Sequence, residues 1–307
     1  MVAAVVARRE EAAICRGGAS DTPHLYVMDA DGSNRRQLTD APGFSEEYAD
    51  WSPDGTKIAV GRSHGRDSSI WVINADGSNP VRVTSGPQDQ RACWSPDGGQ
   101  IAFARARTPG LSIGHWRIFV IRADGTNERR LTESDMDDMS AAWSPDGSRI
   151  AYESTGGGNS WRGQIWVMNA DGSNQTQLTR SEFRLGWPSW SPDGKRIVFT
   201  RAPYNTWDND IWVMEADGTN HIQLTNTPGI PDSFPDWSPF LGQRVVVPPP
   251  RPEETPGVVV PPPRPEQAPS ESGSSWLVVV VIIQGGLLIG LVAYIIGRRA
   301  GSRRAGS

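Results

Sequence analysis

The chain has 307 residues, of which 37% are hydrophobic, and it is rich in Gly (33), Pro (25) and Trp (13), as all-β proteins with many turns are. Its net charge is −5, but the last 32 residues carry four arginines and no acid, which leaves −9 for the rest. Such an acidic body repels phosphate backbones, so we expect no nucleic-acid partner.

Residues 1–10 are interpreted as an N-terminal extension. They include a short apolar run, but a signal peptide needs a hydrophobic core of about 7–15 residues and a cleavage site. The sequence that begins at Met1 therefore predicts no signal peptide. A start further upstream would supply one, and that alternative also affects the number of blades.

Two short motifs alternate along residues 11–247. One is WSPDG, which begins at Trp51, Trp94, Trp143 and Trp190 and has a shortened form, WSPF, at Trp237. The other is an apolar strand with an Asp-Gly turn, IWVMNADGSN in one copy, which occurs five times. Successive tryptophans lie 43 to 49 residues apart, a spacing that favours the blades of a propeller. We expect the tryptophans to pack between blades.

Each repeat contains signals for four short strands, separated by turns in which Pro and Gly set the backbone. Four repeats are complete, at 45–86, 87–134, 135–181 and 182–227. Three N-terminal strands and a first strand that ends at Trp237 would join as a composite fifth blade. We therefore predict an all-β fold, a β-propeller of four-stranded blades. It has five blades, or six if the N-terminus is truncated.

The WSPDG and IWVMNADGSN repeats resemble those of the TolB family and its relatives. The resemblance covers the chain from about Glu11 to Val247. It implies a propeller of the WD-repeat type that serves as a scaffold for binding. TolB also has an α/β domain before its propeller, for which we find no counterpart, so TolB's own partners are not carried over.

A Pro-rich linker follows at 248–275. A tandem 13-residue repeat, VVVPPPRPEETPG and VVVPPPRPEQAPS, begins at Val245 and continues through this linker to Ser270. Its triple prolines favour polyproline II, the conformation of a semi-rigid spacer. The P-x-x-P pattern in it also fits an SH3 ligand, which is the alternative.

Residues 276–296 are uncharged and long enough to cross the lipid bilayer as one transmembrane helix. The basic tail, 297–307, carries four arginines, whereas Glu266 and Glu271 precede the span. The positive-inside rule then predicts a single-pass protein of the cell membrane with an extracytoplasmic propeller and a cytoplasmic C-terminus. A cytoplasmic, tail-anchored propeller is the alternative.

Candidate ligand-binding residues lie in the loops between strands two and three and between blades, where side chains differ between repeats. Aromatic and charged side chains there suit a protein or an envelope glycan. The candidates are Glu46, Glu47, Arg62, Arg66, Asp89, Arg105, Trp116, Asp137, Asp138, Trp161, Tyr204, Trp207 and Asp232. A structural interpretation competes, because Arg62, Arg105 and Arg201 share one repeat position and would form ion pairs with the acids.

The sequence predicts no catalytic, cofactor or metal site. The turn at Asp29 resembles a calcium loop, but Arg122 takes its first position in another copy and cannot ligate a cation, so we interpret these segments as hairpin turns. We therefore predict a binding or protein-interaction scaffold with a monomeric propeller, and not an enzyme. The alternative is a propeller enzyme of the polysaccharide-lyase type.

Overall fold

The structure, a computed structural model, describes residues 6–7, 11–16, 23–29, 34–106, 116–133, 135–155, 162–203, 206, 208–226, 231–237, 279–283 and 290–294. All regular secondary structure in these ranges is β-strand.

Five four-stranded antiparallel sheets follow one another along the chain, each with its strands in sequence order. The first contains β1 (Val6–Ala7), β2 (Glu11–Arg16), β3 (His24–Asp29) and β4 (Arg36–Gln37). The second contains β5 (Ser45–Trp51), β6 (Lys57–His64), β7 (Asp67–Asn74) and β8 (Val81–Arg82). The third contains β9 (Asp89–Trp94), β10 (Gln100–Ala106), β11 (Trp116–Arg122) and β12 (Arg129–Arg130). The fourth contains β13 (Asp137–Trp143), β14 (Arg149–Thr155), β15 (Gly163–Asn169) and β16 (Thr176–Gln177). The fifth contains β17 (Arg184–Trp190), β18 (Arg196–Ala202), β19 (Asp210–Glu215) and β20 (Ile222–Gln223).

The second to fifth sheets fall within the four complete repeats, so the predicted four-stranded blades are confirmed. The hydrophobic core lies between consecutive sheets. Trp51 at the end of β5, for example, is buried in a cluster with Leu25 and Val27 of the first sheet. Trp143 packs in the same way against Ile118 of the third sheet. The predicted packing of the repeated tryptophans between blades is therefore confirmed.

In the second to fifth sheets, the Asp-Gly segments form the turns between third and fourth strands. Oδ1 of Asp76 accepts a hydrogen bond from the backbone N–H of Ser78 at 2.9 Å, and Gly77 has a φ of 86°. Glycine reaches that conformation without a steric penalty. The carboxylate thus closes its own turn, which supports the hairpin interpretation of these segments.

The two ends of the repeat region differ from the predicted composite blade. The first sheet already has its own first strand, because β1 pairs with β2 through Val6 and Ala13. Residues 231–237 pack instead on the fifth sheet, where Trp237 joins a cluster with Ile211 and Val213. The predicted composite blade is therefore wrong in its first strand, because β1 pairs with β2 and, within the described residues, the segment at Trp237 is not part of the first sheet.

Equivalent hydrogen bonds show this placement of residues 231–237. The backbone N–H of Asp232 donates to Asn209 O at 2.7 Å, as that of Glu46 donates to Pro23 O at 2.8 Å between the first two sheets. Nε1 of Trp237 donates to the backbone oxygen of Ser189 at 3.2 Å. Trp94 makes the same bond to the second sheet at the same distance.

Part of the predicted transmembrane segment is described as a hairpin, in which β21 (Val279–Ile283) pairs antiparallel with β22 (Gly290–Tyr294). The structure thus differs from the predicted helix over these ten residues, where valine and isoleucine favour strands. Over the described part of the chain, no helix is both apolar enough and long enough to span a membrane.

Candidate binding site at the propeller axis

The strands β5, β9, β13 and β17 each contain a β-bulge three residues before the tryptophan. The registers between first and second strands slip there, so that two residues face one on the partner strand. The bulged residue has a positive φ, as has the equivalent residue of 231–237, with values between 54° and 60°, and a bulge re-aims its side chain. The residues at this position are Tyr48, Arg91, Ser140, Trp187 and Phe234.

Aromatic residues at this position come together from distant parts of the chain. Tyr48 of the second sheet stacks on Trp187 of the fifth, with ring centres 5.7 Å apart and planes at 21°. Trp187 also meets Phe234 edge to face, with centres 4.2 Å apart. Because the third and fourth sheets lie between the second and the fifth in the chain, a contact between their first strands places these rings near the axis of the propeller. We call Tyr48, Arg91, Trp187 and Phe234 the axial cluster.

Arg91 supplies the charge of the axial cluster. Its guanidinium carbon lies 4.1 Å from the ring centre of Trp187 and 5.4 Å from that of Tyr48, within the range of cation–π attraction. Nη1 of Arg91 donates to Oγ of Ser140 at 2.6 Å, and that hydroxyl donates to Oε2 of Glu153 at 3.3 Å. The chain of hydrogen bonds fixes the guanidinium beside the rings.

The charge of Arg91 acts on the pKa of two nearby acids, Glu47 and Glu153. Burial raises the pKa of Glu47, and the attraction of Arg91 opposes that rise. Burial also raises the pKa of Glu153, again opposed by Arg91. Gly186 leaves the space that Glu153 needs, since a Cβ at Gly186 would lie 2.5 Å from Oε2 of Glu153. The charge of Arg91 therefore acts on acids of both neighbouring sheets.

A second set of polar side chains lies one residue before the repeated tryptophans. Burial raises the pKa of Asp50 to about 7, with the Trp94 N–H bond opposing the rise and the charge of Asp236 adding to it. Burial likewise raises the pKa of Asp236 to about 6, although Ser189 Oγ donates to it at 2.6 Å. Burial and the nearby Asp50 raise the pKa of the Cys93 thiol. The charge of Asp236 thus raises the pKa of Asp50 in the second sheet and of Cys93 in the third.

Two of the acids predicted from the interblade loops form structural ion pairs. Glu46, Asp89, Asp138 and Asp232 share one repeat position and are each at most 1% exposed. Nε of Arg62 donates to Glu46 at 2.8 Å, and Nε of Arg105 donates to Asp89 at 2.6 Å. For these two arginines the structural interpretation is therefore correct. Buried acids that already hold a cation of the same chain are not available to a ligand.

The other described candidates are Glu47, Arg66, Trp116 and Asp137. Arg66 and Glu47 belong to the second sheet, where Arg66 is exposed and Glu47 half-buried. The backbone N–H of Trp116 donates to Oδ1 of Asp137 at 2.8 Å, which ties the third sheet to the fourth. Trp161, Tyr204 and Trp207 lie outside the described residues.

Sequence reasoning missed the axial cluster. The residue three places before each repeated tryptophan differs in every copy, but so does the residue before it. Variation between copies therefore does not single out this position. The direction of the bulged side chain is a property of the folded backbone.

The stacked four-stranded sheets define the class of the molecule as a β-propeller. The sequence profile of the TolB beta propeller domain matches residues 94–247, and the chain belongs to this family. No curated protein matches the sequence.

Solved structures share the fold. A putative TolB from Agrobacterium tumefaciens has a TM-score of 0.63 and 22% identity, with 73% of this chain and 80% of that chain covered. TolB from Acinetobacter baumannii has a TM-score of 0.61 and 20% identity, over 73% of this chain and 54% of that one. An oligogalacturonate lyase in complex with manganese has a TM-score of 0.52 and 15% identity, over 73% and 65%. At these identities the likeness shows the fold alone. Among the described residues, no three His, Cys, Asp or Glu side chains are grouped to hold a metal ion.

Proposed function

We propose that the protein is a membrane-anchored, extracytoplasmic binding scaffold whose propeller holds a segment of a partner protein at the axial cluster. The observation that supports this is the meeting of Tyr48, Trp187 and Phe234 with Arg91, although their strands belong to different parts of the propeller.

The composition of the axial cluster favours binding to protein. Tryptophan, tyrosine and arginine supply most of the binding energy at protein interfaces. The two aromatic residues bury a large area at a small cost in conformational entropy. The fold of a blade does not require an aromatic residue at this position, since the fourth sheet has Ser140 there. Tyr48, Arg91, Trp187 and Phe234 are all half-buried and thus retain accessible surface.

The axial cluster is suited to contact and not to bond breaking. Its charged group, Arg91, is held by Ser140 and lies against aromatic rings, and an arginine keeps its proton under all ordinary conditions. General acid–base catalysis needs a group that exchanges its proton near neutral pH. The axial cluster itself supplies no such group. Asp50 and Asp236 have pKa values near neutral, but each accepts the backbone N–H of a repeated tryptophan, so we favour a scaffold over a propeller enzyme.

Membrane anchoring is proposed from the uncharged residues 276–296 and the arginines after them. An anchored chain stays in the membrane fraction after carbonate washing, and an extracytoplasmic propeller is cleaved by protease added to intact cells. Release by carbonate would contradict the anchor, and protection of the propeller would favour the cytoplasmic, tail-anchored alternative.

The binding proposal is tested by photo-crosslinking in native membranes. Full-length protein with benzoylphenylalanine in place of Tyr48 should form one discrete adduct with a protein. The control carries the same probe at Val81, which is 49% exposed in the outer strand of the same sheet. Trp187→Ala should reduce the Tyr48 adduct by about tenfold or more, because central aromatic residues are typical hot spots. An adduct of equal yield from Val81, or none from Tyr48, would refute the axial site.

A further inference from the structure

Arg201 of β18 differs from the arginines at the same repeat position in two other sheets. Arg62 and Arg105 each pair with a buried acid on the first strand of their own sheet. The residue opposite Arg201 on β17 is Leu185. Within the described part of the chain, Arg201 has no carboxylate oxygen within the 4.0 Å of an ion pair.

Two aromatic rings enclose the guanidinium of Arg201. Its central carbon lies 3.8 Å from the ring centre of Phe183 and 4.2 Å from that of Trp212. Both rings also pack against the hydrophobic cluster that includes Leu185. Neither ring offers an oxygen atom to the N–H donors at the edge of the guanidinium. An edge of parallel N–H groups matches the two oxygens of a carboxylate.

The acid next to Arg201 has a different partner. Asp210 lies opposite Arg201 on β19, but its Oδ2 accepts a hydrogen bond from Nε2 of Gln223 at 2.9 Å. Burial lowers the pKa of Arg201. The arginine has therefore lost part of its hydration without gaining a carboxylate. A ligand that supplies a carboxylate would pair with Arg201 as Glu46 pairs with Arg62.

We propose that Arg201, held between Phe183 and Trp212, binds a carboxylate of a ligand, and that this carboxylate is the acidic side chain of a partner protein. A uronic acid carries the same group, but a sugar ring needs an open aromatic face for stacking. Here Arg201 occupies one face of each ring, and the core cluster packs against both. The site is separate from the axial cluster and does not depend on it.

The test follows the arginine side chains of the full chain in detergent micelles by ¹⁵N-arginine NMR. Arg201→Lys assigns the Nε–H signal of Arg201. N-acetylglutamate is the probe, N-acetylglutamine its neutral match, and galacturonate the acidic sugar. N-acetylglutamate should shift the Arg201 signal saturably, with a dissociation constant on the order of 10 mM for a single charge-assisted pair. N-acetylglutamine should leave the Arg201 signal unchanged. Neither probe should shift the signals of Arg62 and Arg105, which already pair with acids of the chain.

Leu185→Asp is the matched variant, since it puts an acid where Asp89 lies in the third sheet. The new carboxylate should pair with Arg201 and weaken the response to N-acetylglutamate by about tenfold or more. An unchanged response in this variant would overturn the proposal, as would equal shifts from N-acetylglutamine or at Arg62. A response to galacturonate alone would overturn the acidic side chain as the ligand. The wild-type titration decides the matter even if the variant does not fold.

Discussion

At the scale of single residues, one hydrogen bond recurs in all five sheets. A threonine after the fourth strand accepts the backbone N–H at the start of the third strand, at 2.9 to 3.1 Å. The threonines are Thr39, Thr84, Thr132, Thr179 and Thr225, all buried. Because fourth strands have only two residues, this side-chain bond extends a ladder that the backbone leaves short.

Thr179→Val should therefore destabilise the propeller by about 1–3 kcal/mol, because it leaves the buried N–H of Ile165 without an acceptor while keeping the shape of the side chain. Urea denaturation of the full chain measures the loss. Thr219→Val is the control, since Thr219 Oγ1 donates to Asp217 in an exposed turn. Its cost should stay within about 0.5 kcal/mol. Equal losses in both variants would refute a special role for the buried threonine.

At the scale of elements, residues 231–237 act as a first strand although they are followed by no described partner strand. Their bonds to Asn209 and Ser189 and the burial of Trp237 reproduce the junctions between earlier sheets. The fifth sheet thus has its apolar face covered in the same way as the others. An uncovered face would leave Ile211 and Val213 in contact with water, at a cost proportional to the apolar area exposed.

Trp237→Ala should cost about 3–5 kcal/mol, as the loss of a large buried aromatic side chain does. Hydrogen exchange should then speed up first in β19, which Trp237 covers, and less in the second sheet. Val81→Ala, at a residue that is 49% exposed, provides the control and should leave exchange unchanged. Slow exchange in β19 of the Trp237 variant would contradict the proposed docking of this segment.

The blades could be predicted because each repeat carries local turn chemistry. Pro, Asp and Gly in WSPDG and Asp-Gly after IWVM set the turns, so strand positions followed from spacing alone. The composite blade was wrong because pairing of chain ends depends on which strands meet in the fold. The axial cluster was missed for the same reason: the bulge that turns Tyr48 toward Trp187 leaves no mark in the motif.

At the scale of the whole molecule, Asp236 at the end of the repeat region interacts electrostatically with Asp50 of the second sheet. Both carboxyl groups are raised in pKa by burial, to about 7 and about 6, and their charges repel. The unfolded chain loses these protons near its ordinary value, 3.8. Between about pH 4 and pH 7 the folded chain therefore holds more protons than the unfolded chain, so stability falls as the pH rises.

Asp50→Asn should remove much of this dependence, because an amide oxygen can still accept the Trp94 N–H that Asp50 Oδ2 accepts at 2.7 Å. We expect a melting temperature a few degrees, roughly 3–8 °C, above wild type at pH 8 and nearly equal to it at pH 4. Asp146→Asn is the control of opposite sign. The Ser144 hydroxyl bond lowers the pKa of Asp146 to about 2, so this exposed carboxylate stabilises the fold above its ordinary range. Its loss should lower the melting temperature at pH 8, and a rise in both variants would show that the pH effect does not come from the buried pair.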